Sequence, residues 1–218
     1  MKATISLVLI IILSTFTVWN MDPDFVINYL SYSTINLLQG KLWTLFTALF
    51  IHADLIHLLG NMLFLLAFGN ALERELSPAK MLGAFFFGGL LSFLLSSLFY
   101  PLDTVMVGAS AAIFTLSAIS MLVRPMRFSW LLLSPIGLVA ILYFLYNAVA
   151  VYKGILGEIS YISHVIGFLI GIPVGISWSR KWRRNLIITF IMLILYILLL
   201  SLLWDVIMST GASSILRL

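Results

Sequence analysis

Seven long runs of apolar residues constrain the fold of this chain more than any other feature of its sequence. A helix needs about 20 mostly apolar residues to cross a bilayer, and each run is close to that length. A transmembrane β-barrel would show alternating segments of about ten residues instead. The continuous runs therefore predict an all-α integral membrane protein, with spans at approximately Ala3–Trp19, Leu55–Leu72, Ala79–Phe99, Val105–Val123, Ser129–Tyr152, Ile159–Trp178 and Leu186–Val206.

The composition of the 218 residues agrees with this prediction. Hydrophobic residues make up 62 % and charged residues 9 % of the chain, whereas a soluble domain averages about 45–50 % apolar and about 25 % charged residues. This composition excludes a soluble globular protein, a disordered segment and a nucleic-acid-binding protein. The chain contains no cysteine, which excludes a thiol nucleophile and cysteine-ligated metal clusters. We expect no cofactor and no metal.

The loop after the first run, residues 20–54, is long and carries many aromatic side chains. A solvated loop would be more polar, so the composition predicts an ordered loop that is partly buried or lies at the membrane interface. The sequence shows no internal repeat, low-complexity tract or linker. We therefore expect a single domain over residues 1–218.

The Lys and Arg residues indicate which side of the membrane each loop faces, because cytoplasmic loops carry an excess of them. With the N-terminus inside, the inner segments hold nine of the twelve basic residues, and the outer segments hold Lys41, Lys153 and Arg217. This distribution predicts a multi-pass protein with a cytoplasmic N-terminus and, after seven spans, an outer C-terminus.

Polar groups at membrane depth are costly, so they mark candidate functional sites. The carboxylates lie in loops or at the ends of runs, which argues against an intramembrane aspartyl protease and a proton-coupled carrier. They are Asp22, Asp24, Asp54, Glu73, Glu75, Asp103, Glu158 and Asp205. The His-Glu-x-x-His motif of zinc proteases is also absent from the sequence.

Three non-adjacent spans place other polar residues in one layer. His57 and Asn61 lie in the first two turns of the second span, Ser110 near the start of the fourth, and His164 near the start of the sixth. All three spans run inward from the outer side, so these groups fall within about 10 Å of the outer boundary. A serine and a histidine in one layer can form a nucleophile and its general base. The helix start at Ser110 also offers a backbone N–H to an oxyanion.

Structural interpretations of the same residues remain open from the pattern alone. A serine in a membrane helix commonly bonds back to its own helix. A lone histidine such as His164 can be a structural residue or part of a proton path. Asn61 can simply tie two helices together.

His164 begins a stripe of small residues on one face of the sixth span, and such a stripe lets another helix approach closely. The helix of Ser110 is the expected neighbour, because Gly108 and Ala112 repeat the same spacing. That approach would bring His164 within hydrogen-bonding reach of Ser110, with Phe114 packed on the histidine ring. The stripe consists of Gly167, Gly171 and Gly175.

At these residues the chain resembles the rhomboid family of intramembrane serine proteases. The matching pieces are Trp43, His52-Ala-Asp-Leu-Ile-His57-Leu-Leu-Gly-Asn61-Met, Glu73-Arg74, Gly108-Ala-Ser110 and Ser163-His164-Val-Ile-Gly167-Phe-Leu-Ile-Gly171. The resemblance implies a rhomboid-like six-helix transmembrane bundle over residues 1–180. It also implies one further C-terminal transmembrane helix in residues 181–218.

The resemblance further implies roles for individual residues. Ser110 would be the nucleophile and His164 its general base, in a dyad without an aspartate. His57 and Asn61 would bind the oxyanion, and Gly108 would shape the loop before the serine. Structural roles are implied for His52 in the first loop and for Glu73 and Arg74 at the inner end of the second span.

The chain departs from the family pattern at three positions. Ala111 follows the serine where the family commonly has glycine. Thr44 follows Trp43 where the family has arginine, and Phe114 stands where the family often has tyrosine. None of these changes removes a catalytic group, so they bear on activity more than on fold.

Three functions are consistent with this pattern. The first is hydrolysis of transmembrane protein substrates near the outer membrane face, with the lipid bilayer and these substrates as partners. The second is a catalytically inactive rhomboid-like protein that binds membrane segments, for which Ala111 is the main support. The third is a small carrier or channel, which would need a polar stripe reaching the inner face; the spans below Ser110 and His164 are mostly apolar. The sequence leaves the oligomeric state open.

Overall fold

The computed structural model describes residues 1–155 and 160–215. In these residues the helices follow one another as α1 (Lys2–Val18), α2 (Pro23–Phe25), α3 (Thr34–Leu38), α4 (Thr44–Thr47), α5 (Leu55–Glu75), α6 (Pro78–Ser96), α7 (Ser110–Val123), α8 (Ile136–Tyr152), α9 (Tyr161–Trp178) and α10 (Trp182–Ile215). A π-helical turn covers Val26–Leu30, and a 3-10 turn covers Ala48–Phe50. Glu158, Arg217 and the predicted beginning of the sixth run at Ile159 lie outside the described residues.

Within the described residues, four helices are long and apolar enough to cross a membrane, namely Leu55–Glu75, Pro78–Ser96, Tyr161–Trp178 and Trp182–Trp204. The apolar helices α1, α7 and α8 are shorter, with 17, 14 and 17 residues. The architecture is therefore mostly helical, as the apolar runs predict. The count of seven membrane crossings stays a prediction.

Polar capping residues fix where two of the long helices begin. The Asp54 carboxylate accepts the backbone N–H of His57 at 2.8 Å, which caps the first turn of α5. The Ser77 hydroxyl caps α6 through the N–H of Lys80 at 3.2 Å. Pro78 occupies the first turn of α6, where a missing N–H leaves no helical bond unmade.

Helix α7 lies at the centre of the bundle. Every residue from Ala111 to Leu122 is buried, and α5, α6, α8, α9 and α10 all contact this helix. Because α7 is surrounded in this way, its first residue, Ser110, lies where several parts of the chain meet.

The helix at Ser110 begins later than the apolar pattern predicts. The pattern predicts the fourth span from Val105, but the backbone before Ser110 is extended or turned. Met106 pairs with Tyr32 of the first loop in an antiparallel bridge. Gly108 then adopts a φ of 113°, which is incompatible with a right-handed helix. The apolar residues of this segment belong to a loop.

The fifth apolar run also contains non-helical backbone. It is predicted as a span from Ser129, but α8 begins at Ile136. Before that residue, β1 (Phe128–Ser129) pairs antiparallel with β2 (Ser134–Pro135). A short apolar run does not distinguish extended from helical backbone, so the sequence pattern missed this hairpin.

The long first loop is ordered and folds against the bundle, as its composition predicts. Tyr32 is fully buried, and its ring stacks on that of Phe93 in α6 with 5.2 Å between the ring centroids. The hydroxyl of Tyr32 lies 2.5 Å from the hydroxyl of Ser97. The loop thus joins the end of α6 and the segment before α7.

Glu73, near the end of α5, holds the beginning of α1. Its carboxylate accepts the backbone N–H groups of Ala3 and Thr4 at 3.1 and 2.8 Å and the Thr4 hydroxyl at 2.7 Å. The first amides of a helix have no partner within the helix, so a carboxylate is favoured at this end. The geometry agrees with a structural role for Glu73.

Removal of the Glu73 carboxylate should weaken the attachment of α1. We expect Glu73→Ala to lower the free energy of unfolding by about 2–3 kcal/mol, because the amides of Ala3 and Thr4 lose a charged acceptor. Equilibrium unfolding in detergent micelles measures this change. Glu75→Ala is the matched control, since it removes a more exposed carboxylate that pairs with two arginines, and it should cost about 1 kcal/mol or less. An equal loss in both variants would contradict the role of Glu73.

Candidate active site

Ser110 and His164 lie within hydrogen-bonding distance of each other. The Ser110 Oγ and the His164 Nε2 are 2.7 Å apart. Ser110 is the first residue of α7 and is half-buried. His164 lies in the first turns of α9 and is 6 % exposed. The structure therefore brings together the two residues that the sequence singled out, from two helices that are not consecutive in the chain.

Glycines on α9 allow the close approach of α9 to α7. A Cβ atom at Gly167 would overlap the carbonyl oxygen of Ala111. A Cβ atom at Gly171 would lie 2.5 Å from the carbonyl oxygen of Thr115. The Thr115 hydroxyl donates to the Gly167 carbonyl at 2.8 Å, which ties the two backbones together. The predicted neighbour of the small-residue stripe is thus the helix observed there.

The His164 ring is held on two further sides. Phe114 of α7 stacks on the ring, with 4.7 Å between centroids and 14° between the planes. On α8, the Asn147 Oδ1 lies 2.8 Å from the His164 Nδ1, and Asn147 is 1 % exposed. The sequence reasoning anticipated Phe114 but missed Asn147. The available signal was a single asparagine inside the fifth apolar run.

Gly108 and His57 lie against each other beside the serine. Gly108 has a φ of 113°, a region that favours glycine. A Cβ atom on Gly108 would lie 2.9 Å from the Nε2 of His57. The Gly108 N–H donates to the carbonyl of Ala48 at 2.8 Å and so anchors the turn. The His57 ring therefore borders the backbone two residues before Ser110, and the conformation agrees with the expected role of Gly108 in shaping this loop.

His52 joins α1, the first loop and the segment before α7. Its Nε2 accepts the N–H of Ala109 at 3.3 Å, so its Nδ1 carries the proton and donates to the Thr15 hydroxyl at 3.2 Å. That hydroxyl donates in turn to the carbonyl of Phe50 at 3.1 Å. The His52 ring is fully buried. Burial, followed by the charge of the neighbouring His57, lowers the pKa of His52 to about 3, so the ring is neutral at pH 7.

Asn61 lies one helical turn after His57 on α5 and is 7 % exposed. The spacing of four residues puts both side chains on the same face of the helix. The Asn61 Nδ2 donates to the carbonyl of His57 at 2.8 Å. One of the two amide N–H groups of Asn61 is therefore engaged in its own helix, and the second is the one that an oxyanion role would use.

Two departures from the resembled pattern are accommodated by local structure. Ala111 lies within α7, where its backbone is helical and its methyl group is buried, and this conformation suits any residue. Thr44 is fully buried, and its hydroxyl donates to the carbonyl of Lys41 at 2.7 Å. The Lys41 ammonium donates to the carbonyl of Asn28 at 2.8 Å. These bonds hold the first loop where the family has an arginine.

The arrangement has the parts needed for acyl transfer. A serine hydroxyl next to a histidine nitrogen can be activated by loss of its proton to that base. The backbone N–H of Ser110 is at the beginning of α7, where amides have no partner within the helix, and such donors stabilise an oxyanion. Among the residues that the structure describes, no group of three His, Asp or Glu side chains is placed to hold a metal ion.

The Rhomboid domain model matches residues 39–181, which include Ser110, His164 and the side chains around them on α5, α7 and α8. The chain therefore belongs to the rhomboid family, which typically comprises intramembrane serine proteases and also includes inactive members. Together with its apolar helices, this membership makes the chain a multi-pass integral membrane protein.

Individual relatives match parts of the chain. Rhomboid-like protein 11, chloroplastic, of Arabidopsis thaliana is 42 % identical over 84 residues, which are 38 % of this chain and 30 % of that protein. Rhomboid-like protease 1 of Toxoplasma gondii is 33 % identical over 92 residues, or 42 % of this chain and 31 % of that protein. RHOMBOID-like protein 2 of Arabidopsis thaliana is 30 % identical over 127 residues, or 58 % of this chain and 39 % of that protein. The chain thus spans well under half the length of these relatives.

Widening the contact between α7 and α9 should destabilise the protein. We expect Gly167→Ala to lower the free energy of unfolding by about 1–3 kcal/mol, because the added methyl group meets the Ala111 carbonyl in a tightly packed interface. Thermal unfolding in micelles measures the effect. Gly83→Ala in α6 is the matched control, since nothing lies within 4 Å of a Cβ atom there. If Gly167→Ala is as stable as Gly83→Ala, the contact is looser than the structure indicates.

Acid should destabilise the protein partly through His52. The folded-state pKa of about 3 lies below the unfolded value of 6.5, so this contribution to stability is complete above pH 6.5 and is lost as the pH falls towards 3. We expect the wild-type unfolding free energy to fall more steeply between pH 6.5 and 5 than that of His52→Gln, by up to about 1.4 kcal/mol per pH unit. Unfolding curves at several pH values measure both slopes. Parallel slopes would mean that His52 does not stay neutral in the folded protein.

Proposed function

We propose that this chain is an intramembrane serine protease that hydrolyses peptide bonds of transmembrane protein substrates, with Ser110 and His164 as a Ser–His dyad. The observation that carries this proposal is the 2.7 Å separation between the Ser110 Oγ and the His164 Nε2 at the centre of the bundle. Membership of the rhomboid family supports the same chemistry.

The proposed reaction begins with attack of the Ser110 Oγ on the scissile carbonyl carbon while His164 Nε2 takes the hydroxyl proton. The negative charge that develops on the carbonyl oxygen is stabilised by the Ser110 N–H and by donors from His57 and Asn61. The imidazolium of His164 returns the proton to the leaving amine as the peptide bond breaks. Water then attacks the acyl-enzyme, with His164 again as base, and releases the new carboxylate and the Ser110 hydroxyl.

The proposed site lies within the membrane near the outer face, with the N-terminus in the cytoplasm. The excess of Lys and Arg on the segments assigned to the inner side supports this orientation. Helix α7 has 14 residues and is about 21 Å long, about 9 Å shorter than the hydrocarbon core. Its first residue, Ser110, would therefore lie below the outer boundary if α7 ends near the inner one.

We propose a substrate that can leave the helical conformation locally. A transmembrane helix satisfies its own backbone groups and hides its peptide bonds, so Gly or Pro near the cut would assist cleavage. By resemblance to the family, the residue before the cut would be small. We assign residues 1–218 to one domain, with the catalytic bundle in residues 1–180 and a supporting C-terminal helix after it.

Removal of either member of the dyad should abolish cleavage. We expect wild-type protein in liposomes to cleave a single-span substrate that carries a Gly-Pro break. Ser110→Ala and His164→Ala should each lose about a thousandfold or more of the rate. Ser117→Ala is the matched control, since this buried hydroxyl on the same helix donates only to the carbonyl of Phe114 among the contacts the structure gives it. It should cleave at nearly the wild-type rate.

Labelling by a fluorophosphonate separates the possible outcomes of that experiment. Labelling of the wild type and of Ser117→Ala, but not of Ser110→Ala, supports an activated serine. Labelling without cleavage means that the nucleophile is competent and that the substrate is unsuitable. A wild-type protein that neither cleaves nor labels contradicts the proposal and favours a rhomboid-like protein that binds membrane segments without cutting them.

A further inference from the structure

Asn147 is a buried polar residue that the dyad chemistry does not account for. It lies on α8, which otherwise presents mainly apolar side chains, and it is 1 % exposed. A buried amide is costly unless its donor and acceptor are both bonded. In this structure both are bonded, the acceptor to His164 and the donor to the carbonyl of Tyr143.

The bond to Tyr143 determines which end of the amide faces the histidine. The Asn147 Nδ2 lies 2.8 Å from the Tyr143 carbonyl oxygen, which can only accept a hydrogen bond. A flipped amide would put two acceptor oxygens at this distance. The Oδ1 of Asn147 therefore faces the Nδ1 of His164, at 2.8 Å.

This orientation determines the proton position on the histidine. An amide oxygen only accepts, so the Nδ1 of His164 must carry the proton that it donates to Asn147. A neutral imidazole has one N–H, which leaves a lone pair on Nε2. That lone pair points to the Ser110 Oγ at 2.7 Å, where a general base is needed.

The backbone beneath Asn147 is itself held in place. Tyr143, one helical turn earlier, stacks on Phe114 with 4.3 Å between ring centroids and on Phe64 with 4.6 Å. Phe114 also stacks on the His164 ring. The same aromatic cluster therefore positions both partners of the Asn147–His164 bond.

We infer that Asn147 is a positioning residue that holds His164 in the Nδ1–H tautomer, with Nε2 free to accept the proton of Ser110. The role rests on the proposed protease function, because the tautomer matters for turnover only if His164 is the base. Its structural part, the hydrogen bond and the tautomer, can be tested without any turnover.

The first test reads the tautomer directly in the folded wild-type protein. The chain has three histidines, so a sample labelled with 15N-histidine in lipid gives three ring spectra, and His164→Gln identifies the one to assign. We expect the His164 ring of the wild type to carry its proton on Nδ1 at neutral pH. In Asn147→Leu we expect a mixture of tautomers. A wild-type ring protonated on Nε2 would overturn the inference.

The second test separates positioning from general stability by kinetics. We expect Asn147→Leu to lower kcat by about tenfold to a hundredfold, a loss of the size seen when the hydrogen-bonded partner of a metal-binding histidine is removed, with KM little changed. Asn185→Leu is the matched control. It also removes a buried amide, one that donates to the carbonyls of Leu122 and Val123 at the opposite end of α7 from Ser110. It should lower the unfolding temperature and leave kcat and the His164 tautomer unchanged.

The outcomes distinguish this inference from the proposed function. A lower kcat in Asn147→Leu with an altered tautomer supports positioning. An unchanged kcat, or a loss of activity that only follows lower stability and leaves the tautomer as in the wild type, overturns it. A wild type that neither cleaves nor reacts with fluorophosphonate refutes the protease, and the ring spectra then still decide whether Asn147 fixes His164.

Discussion

The close contact between α7 and α9 is the constraint on which the rest of the site depends. A hydrogen bond between side chains on two helices requires the backbones to be close and their register to be fixed. Gly167 and Gly171 meet the first need, because a Cβ atom at either position would overlap a carbonyl oxygen of α7. The Thr115 hydroxyl adds a directional bond to the Gly167 carbonyl, which fixes the register that plain apolar packing leaves free. His164 lies one helical turn before Gly167 on α9 and contacts Ser110 at 2.7 Å.

A second set of contacts positions Ser110 through the turn that precedes α7. The turn before α7 is held by the N–H of Gly108 on the Ala48 carbonyl and by the N–H of Ala109 on His52. His52 is in turn bonded to Thr15 of α1. Helix α1 and the first loop, both distant in sequence, therefore support residues 108–110. The Ala109 amide is occupied by His52, whereas the Ser110 amide is among the first amides of α7, which have no partner within the helix. The first loop is thus part of the site's support, which explains why a loop of this length is ordered and apolar.

The sequence predicted the contact between Ser110 and His164 better than it predicted the boundaries of the elements around them. The contact was predictable because polar residues are rare in apolar runs, and because the glycine stripe after His164 indicated which helix packs against α9. The apolar run placed the beginning of this span too early, at Val105, since hydropathy is the same for an extended loop and a helix, although the Gly-Ala-Ser sequence itself indicated a helix start at Ser110. Asn147 was missed for a different reason. Asn147 belongs to no motif in the sequence. Its proposed role depends on which partners its amide oxygen and its amide nitrogen bind, and only the folded structure shows these partners.

The hydrogen bonds through the proposed dyad all run in one direction. In the inferred tautomer the Ser110 hydroxyl donates to His164 and His164 donates to Asn147, which in turn donates to the carbonyl of Tyr143. Each donor in such a chain polarises the next, so the imidazole nitrogen facing the serine becomes a better acceptor. A carboxylate in place of the amide would also accept from Nδ1, but an ionised group buried within a membrane bundle is costly. The amide offers the same acceptor without a net charge, so the proposed dyad would orient its base in the absence of an aspartate.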